Sequence, residues 1–278
     1  MILQMAGKEA TNSLDRALAL LEMIEQTPGG MSSGEIRRRL DIPKSSYGYL
    51  ITRLVDKGYV TRDQETHHYK IGLTPLALAY GTLREMGFRS FTEPTLYRLV
   101  SETGLAASIG VLERHRVLLV DRVESPEFAK DAVDVANRAG KTAFGHNIRQ
   151  RRERDIGREL PAHSNVLGKV LLAHLSRRQV LKIIAQEGLP RITAKTIVSK
   201  AKLLAELERV RRQGFAESDE EQYIGVRGVG AAIYDASDAV CAAVAVTGNP
   251  AADVWKGSAR LIELVRTAGW AISKSMRL

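Results

Sequence analysis

From Ser13 the chain reads SLDRALALLEMIEQ, with Leu14, Ala17, Leu18, Leu21 and Ile24 recurring at three- and four-residue intervals, the spacing of an amphipathic helix. Ser13 stands where an N-cap is expected. Gly29-Gly30 interrupts the pattern, and SSGEIRRRL then places Ser32 and Glu35 at capping-box spacing ahead of Ile36 and Leu40. Pro43 cannot continue that second helix and restricts the residue before it, so Asp41-Ile42-Pro43 predicts a tight corner. In the next helix, KSSYGYLITRLV, one face carries Tyr47, Leu50, Ile51, Leu54 and Val55. The other carries Lys44, Ser45, Ser46, Gly48, Tyr49, Thr52 and Arg53. Two short β segments around a polar turn follow, at residues 59–61 and 68–71. Three helices and a hairpin predict a winged helix-turn-helix over residues 1–74.

The polar face of the third helix is small, rich in hydroxyls and free of acids, which suits close approach to a polyanion. Ser45 and Ser46 at the helix start can bind phosphate together with first-turn N–H groups. Lys44 and Arg53 can neutralise phosphate or reach guanine edges, and Tyr49 and Thr52 can touch base edges or a thymine methyl. Arg37 in the second helix and Arg62 in the wing are further phosphate candidates. Charge agrees locally: residues 1–36 hold two Lys/Arg against five Asp/Glu, and residues 37–70 hold eight against four. The formal charge of +9 on the whole chain says less, because most of that excess lies nearer the C-terminus. Double-stranded DNA is the expected partner. A small helical module with a solvated charged face, or one that binds protein, is the alternative.

Thr74-Pro75 predicts a helix start with proline in the first turn. PLALAYGTLREMG then carries Leu76, Tyr80 and Leu83 along a connecting helix, assigned to residues 75–90. EPTLYRLVSETG predicts another helix, stopping at Gly104. From Ala106 the period changes, and ASIGVLERHRVLLVDRV reads as two strands around a charged turn at residues 113–116. Helices are expected at 164–175, 178–186 and 199–213, the last ended by Gly214. GVGAAIYDASDAVCAAVAVTG reads as a hairpin turning at residues 235–238, and a closing helix runs from near Val254 to Met276. Strands, a block of helices, strands and a final helix predict an α+β domain over residues 91–278.

Two domains suit 278 residues, and the single cysteine, Cys241, excludes a disulfide framework and suits a reducing cytosol. No leader pattern and no apolar run of membrane-spanning length is present, so a cytoplasmic protein without a membrane partner is expected. Catalysis finds no support. GVRGVG lacks the spacing of a dinucleotide loop, and Ser164 and Lys169 are wrongly spaced for a Ser-x-x-Lys nucleophile. No Gly-x-Ser-x-Gly elbow appears. His67-His68 would alternate across a strand, and no His-x-x-x-His or Cys-x-x-Cys pair occurs, so no metal or cofactor is expected. A hydrolase would turn over esters or amides without DNA. A structural DNA-binding protein without an effector would not need a C-terminal domain of this size.

SLDRALALLEMI, IPKSSYGYLITRLVDKGYV and YKIGLTPLALA resemble the DNA-binding domain of the IclR family of bacterial transcriptional regulators. The resemblance continues in RELPAHSNVLGKVLLAHLS, in TIVSKAKLLAELERVRRQGFAESDEEQYIGVRGVGAAIYD and in AAVAVTGNP, covering nearly the whole chain in order. It departs at Tyr49, where the family usually has Arg, and at Gly48, where it has a larger polar residue. It implies a C-terminal GAF-like effector domain with its pocket between the central sheet and the helix that begins after LPAH. The first-turn N–H groups of Asn165, Val166 and Leu167 would favour a carboxylate there. Ser218, Gly228 and Ala245 stand where members that bind very small oxoacids are polar, and Thr247 keeps a hydroxyl. Smaller side chains leave room for a bulkier small organic acid of the benzoate type, unless these residues merely pack the sheet. The resemblance further implies a pseudo-palindromic operator controlling a catabolic operon, and a homodimer or homotetramer joined in part through the connecting helix. That helix packing on its own domain is the alternative. The span 125–158 is longer than the family pattern. Its Arg149, Arg151, Arg152, Arg154 and Arg158 form a solvated loop, a lid or an oligomer contact.

Overall fold

Asn12, not Ser13, caps the first helix, α1 (Ser13–Glu25): its side chain accepts from the amides of Leu14 and Asp15 at 2.9 and 3.0 Å. The computed structural model describes residues 12–85, 88–124 and 156–276. The buried stripe of α1 is Ala19, Leu20, Met23 and Ile24, whereas Leu14 and Leu18 are 67% and 51% exposed. The helix is apolar along two stripes, so periodicity alone cannot choose between them. The capping box of α2 (Ser33–Leu40) forms as expected between Ser32 and Glu35. Asp41, in the left-handed region at φ 49°, ends α2 and turns the chain towards α3 (Lys44–Asp56). Tyr47, Leu50 and Ile51 of α3 meet Leu20, Ile24, Ile36 and Leu40 in one core. Strands β1 (Val60–Arg62) and β2 (Tyr69–Ile71) pair antiparallel, with Val60 opposite Ile71. Helix α4 (Thr74–Glu85) follows. The chain divides into two units, Met1–Met86 and Gly87–Leu278.

The second unit opens with α5 (Phe88–Thr103), which starts well before Pro94 and runs through it. Proline removes one helical hydrogen bond, but burial of Leu96 and Leu99 further along holds the helix in place. Six antiparallel strands then form one sheet: β3 (Ala106–Glu113), β4 (Arg116–Val123), β5 (Glu159–Pro161), β6 (Ala216–Asp219), β7 (Arg227–Tyr234) and β8 (Val240–Gly248). Their spatial order is β5-β4-β3-β8-β7-β6. The two edge strands, β5 and β6, were not expected, since three or four residues are too few to show an alternation.

Helices α6 (Val166–Ala173), α7 (Arg177–Glu187) and α8 (Lys200–Gln213) share a core with one face of the sheet. Helices α5 and α9 (Ser258–Ser275) pack on β3, β7 and β8 from the other side. The closing helix expected from near Val254 begins instead as a separate 3₁₀ turn, Asp253–Gly257. Every residue of α6 is buried, which demands close packing on both sides. A Cβ on Gly168 would fall 2.1 Å from the carbonyl oxygen of Ala162, and one on Gly230 would fall 3.0 Å from Val166 Cγ2. Alternation along β8 turns Ala243 and Ala245 towards α6. Small residues on β7 and β8 therefore let this helix lie almost on the sheet.

Candidate DNA-binding surface and ligand cavity

On α3 the side chains of Lys44, Ser45, Tyr49, Thr52 and Arg53 are exposed together, with Ser46 half-buried beside them. Tyr47 anchors the helix from beneath. Its hydroxyl donates to Ser33 Oγ at 3.0 Å, and its ring meets Tyr69 edge-on at 6.5 Å. Burial pushes the Tyr47 phenol up to about 12, so it stays a neutral donor. The Arg53 guanidinium lies over the Tyr49 ring, 5.7 Å from its centre, one helical turn along the exposed face. A ring in this place orients the arginine, a pairing the sequence did not suggest. Gly48 has open space where a Cβ would project. Arg62 is exposed on β1, with its guanidinium 5.8 Å from the Tyr69 ring centre. Arg37 is half-buried, and its Nε has no hydrogen-bond partner among the described residues. The wing turn is braced by Asp63, which accepts from Lys70 Nζ at 2.6 Å and from the amides of Glu65 and Thr66. These bonds, Lys70 foremost, hold the Asp63 carboxyl well below the usual carboxylate range.

In the second unit a cavity of about 80 Å³ opens at the N-terminal end of α6. Its floor is a cross-strand row in which Ser218 faces Gly228 and Gly228 faces Thr247, with Ser108 of β3 alongside. Asn165, Val166 and Leu167 overhang it. Asn165 caps α6 by accepting from the Gly168 amide at 2.8 Å, and its own amide donates to Pro161 O at 2.6 Å. The amides of Val166 and Leu167, also in the first turn, have no acceptor within the helix. Six of the seven expected ligand residues therefore line one cavity. Ala245 does not: it is fully buried opposite Gly230, packed beneath Val166.

The remaining walls come from segments far apart in sequence. Leu119 and Arg122 belong to β4, and Arg158 and Leu160 to the start of β5 and the residue before it. Gln222, Tyr223 and Val226 belong to the loop between β6 and β7. Arg122 pairs with Glu124, the Arg158 guanidinium lies 5.8 Å from the centre of the Tyr223 ring, and Ser164 Oγ donates to Gln222 Oε1. Among the described residues two arginines and no acid line the cavity, and although Arg122 is already paired with Glu124 the lining is on balance suited to an anion. A signal for Ser108 was present in the sequence, as a lone hydroxyl in the apolar strand AASIGV. Arg149, Arg151, Arg152 and Arg154 lie outside the described residues.

Behind the cavity, Lys169 is only 2% exposed. Its ammonium donates to Glu221 Oε1 at 2.5 Å and to Glu217 O at 2.8 Å, with Glu206 Oε1 at 3.4 Å. Burial pushes the Glu221 carboxyl up. Burial also pulls Glu206 upward, but the Arg209 hydrogen bonds and Lys169 hold it below its ordinary value. Among the described residues no group of three His, Cys, Asp or Glu could hold a metal ion. No helix there is long and apolar enough to cross a membrane.

The family description "IclR helix-turn-helix domain" matches residues 13–64, and "Bacterial transcriptional regulator IclR C-terminal" matches residues 141–274. The chain is 28% identical over 238 residues to the transcriptional repressor IclR of Escherichia coli K12, covering 85% of this chain and 79% of that one. It is 26% identical over 275 residues to the HTH-type transcriptional repressor AllR of Salmonella typhi, covering 98% and 92%. In fold it is similar to the crystal structure of an IclR homolog from Microbacterium hydrocarbonoxydans complexed with 4-hydroxybenzoate. The TM-score there is 0.77, at 20% identity over 96% of this chain and 99% of that one. One family description falls on each unit and the two together span well over half of the sequence, so this chain belongs to the IclR family of bacterial transcriptional regulators, a DNA-binding protein and not an enzyme.

Proposed function

We propose that the protein binds a pseudo-palindromic operator through α3 and the wing, and that the cavity at the start of α6 takes a small aromatic carboxylate. Ligand binding would then alter affinity for the operator of a catabolic gene cluster. The observation that carries the ligand reading is the lining itself. A helix start and two arginines suit a carboxylate, Leu119, Leu160, Val166 and Val226 suit a ring, and the Ser218–Thr247 row suits a ring hydroxyl. The 4-hydroxybenzoate complex of a protein with a similar fold supports the same class of ligand. A two-fold operator calls for a two-fold protein, so a homodimer, or a pair of dimers, is the working unit. Arg37, Lys44, Ser45, Ser46 and Arg62 would contact phosphate, and Tyr49, Thr52 and Arg53 would reach base edges.

Fluorescence anisotropy on DNA from upstream of the gene tests both halves, with random DNA of equal length as control. Binding that survives higher salt and shifts roughly 5- to 150-fold with 4-hydroxybenzoate is expected, matching an allosteric coupling of about 1–3 kcal/mol. Equal, salt-labile binding to both DNAs would instead support a structural DNA binder. An operator complex indifferent to every aromatic acid would remove the ligand assignment.

A further inference from the structure

The cavity wall formed by Gln222, Tyr223 and Val226 belongs to a loop that is tied down from two sides. Lys169 holds it from within through Glu221, at 2.5 Å, and also donates to the Glu217 carbonyl of β6, the strand that leads into the loop. From the outer side, the hydroxyls of Thr193 and Thr196 donate to the carbonyls of Glu220 and Glu221 at 2.7 and 2.8 Å. Within the loop, the Glu220 amide donates to Val226 O and the Gly225 amide to Glu220 Oε1, so its two ends are braced against each other.

Lys169 is the only charged residue in α6, whose other seven residues are buried and carry no charge. Burying an ammonium is costly even when it is paired, and an apolar side chain of similar size would serve stability as well or better. The pair is also incompletely satisfied, since Glu221 Oε2 is buried without a hydrogen-bond partner among the described residues. Packing alone therefore does not account for it. Its location does suggest a role: Lys169 lies one turn from Val166, which overhangs the cavity floor, and Glu221 is followed directly by Gln222 in the wall.

We propose that Lys169 and Glu221 are a positioning pair that fixes the 219–226 loop against α6 and so sets the size of ligand the cavity admits. This rests on the cavity being the effector site. At about 80 Å³ the cavity is smaller than the roughly 150 Å³ space that holds benzene in an engineered protein core. A ring therefore enters only as this wall shifts outward.

The test uses full-length Lys169→Met/Glu221→Leu and Glu221→Gln variants, read by amide hydrogen exchange without ligand and by calorimetric binding of 4-hydroxybenzoate and the longer 4-hydroxycinnamate. The double variant should keep its Tm, because an apolar pair replaces two buried ions and Glu206 keeps its Arg209 hydrogen bonds. Its 219–226 amides should exchange about tenfold faster, and its preference should shift about tenfold towards the longer acid. Glu221→Gln, which keeps an acceptor for Lys169, should resemble the wild type in both readouts. Unchanged exchange at 219–226, or unchanged size preference with faster exchange, would overturn the proposal. Should the double variant not fold, Glu221→Leu alone serves, since Lys169 then keeps Glu206 and the Glu217 carbonyl. Exchange raised in the loop but not in the β3–β4 hairpin supports positioning, whereas a uniform rise shows a purely structural role. A wild type that binds neither acid counts against the ligand class, and the exchange measurement still decides whether the pair tethers the loop.

Discussion

Replacing Asn165 by Asp separates the two tasks this residue combines. The carboxylate can still accept from the Gly168 amide, which Asn165 Oδ1 does at 2.8 Å, and a negative charge suits a helix start, so the cap survives. What is lost is the donor to Pro161 O, at a cost of about 1 kcal/mol, which in a unit of this size lowers Tm by roughly 2–4 °C. The larger effect concerns the ligand. A carboxylate bound at the α6 N-terminus would lie about 5 Å from the new charge, and at an effective dielectric constant near 20 the repulsion is roughly 3 kcal/mol. Affinity for 4-hydroxybenzoate should therefore fall on the order of 100-fold, while the neutral 4-hydroxybenzamide changes little. Asn165→Ala should behave in the opposite sense, losing the cap and about 1–2 kcal/mol of stability without discriminating acid from amide. Isothermal titration of both compounds, with melting curves, makes the comparison. Equal losses for acid and amide, or no loss for the acid, would refute the placement of a carboxylate at this helix.

Gly228→Leu should abolish ligand binding while bare operator binding survives. Its Cβ alone would sit 3.0 Å from Thr247 Cγ2 and 3.1 Å from Val166 Cγ1, so about 1–3 kcal/mol of overpacking accompanies the blocked cavity; calorimetry beside anisotropy checks both. Arg53→Ala should weaken operator binding and reduce the salt slope by about one, and unchanged affinity would remove Arg53 from the interface. Tyr49→Phe keeps the ring under Arg53 whereas Tyr49→Ala does not, so selection from randomised operators should show altered base preference only for the alanine variant. His163 is buried with Nε2 against Pro190 O, and burial holds its folded pKa below the ordinary value. The unfolded chain therefore takes up the proton first, and stability present above about pH 6.5 should be lost as pH falls below that value and through the lower folded pKa. His163→Gln should flatten this limb of a pH series of urea melts.

Where apolar residues recur at one spacing, as in α2 and α3, the elements were legible in the sequence, and so was the capping box of α2. Helix α1 was not fully so, because Leu14 and Leu18 extend a second apolar stripe that the domain core does not use. Of α5, the part from Glu93 to Thr103 was legible but its start at Phe88 was not, because a proline reads as the first turn of a helix and here lies inside one. At the cavity, Asn165 to Leu167 and the Ser218–Gly228–Thr247 row could be placed by motif. Ser108, Arg122, Arg158, Gln222 and Tyr223 could not, since a six-stranded order of β5-β4-β3-β8-β7-β6 brings them together from segments with no common pattern. Lys169 was visible as a charge inside VLGKVLLA, yet only the fold reveals that it faces Glu221. Ala245 lies two positions along β8 from Thr247, opposite Gly230, where Val166 packs down onto the sheet.

The straight row of Ser218, Gly228 and Thr247 has an evolutionary consequence. These three positions lie on adjacent strands and project to the cavity side, whereas the opposite face, with Val244 against Gly269 of α9, is packed independently. With the cavity as the proposed effector site, substitutions along the row would retune ligand choice by single steps while leaving the backbone pairing and the far-side core untouched. On that assignment, a sheet built this way would let an inherited regulator acquire a new chemical signal without first acquiring a new fold.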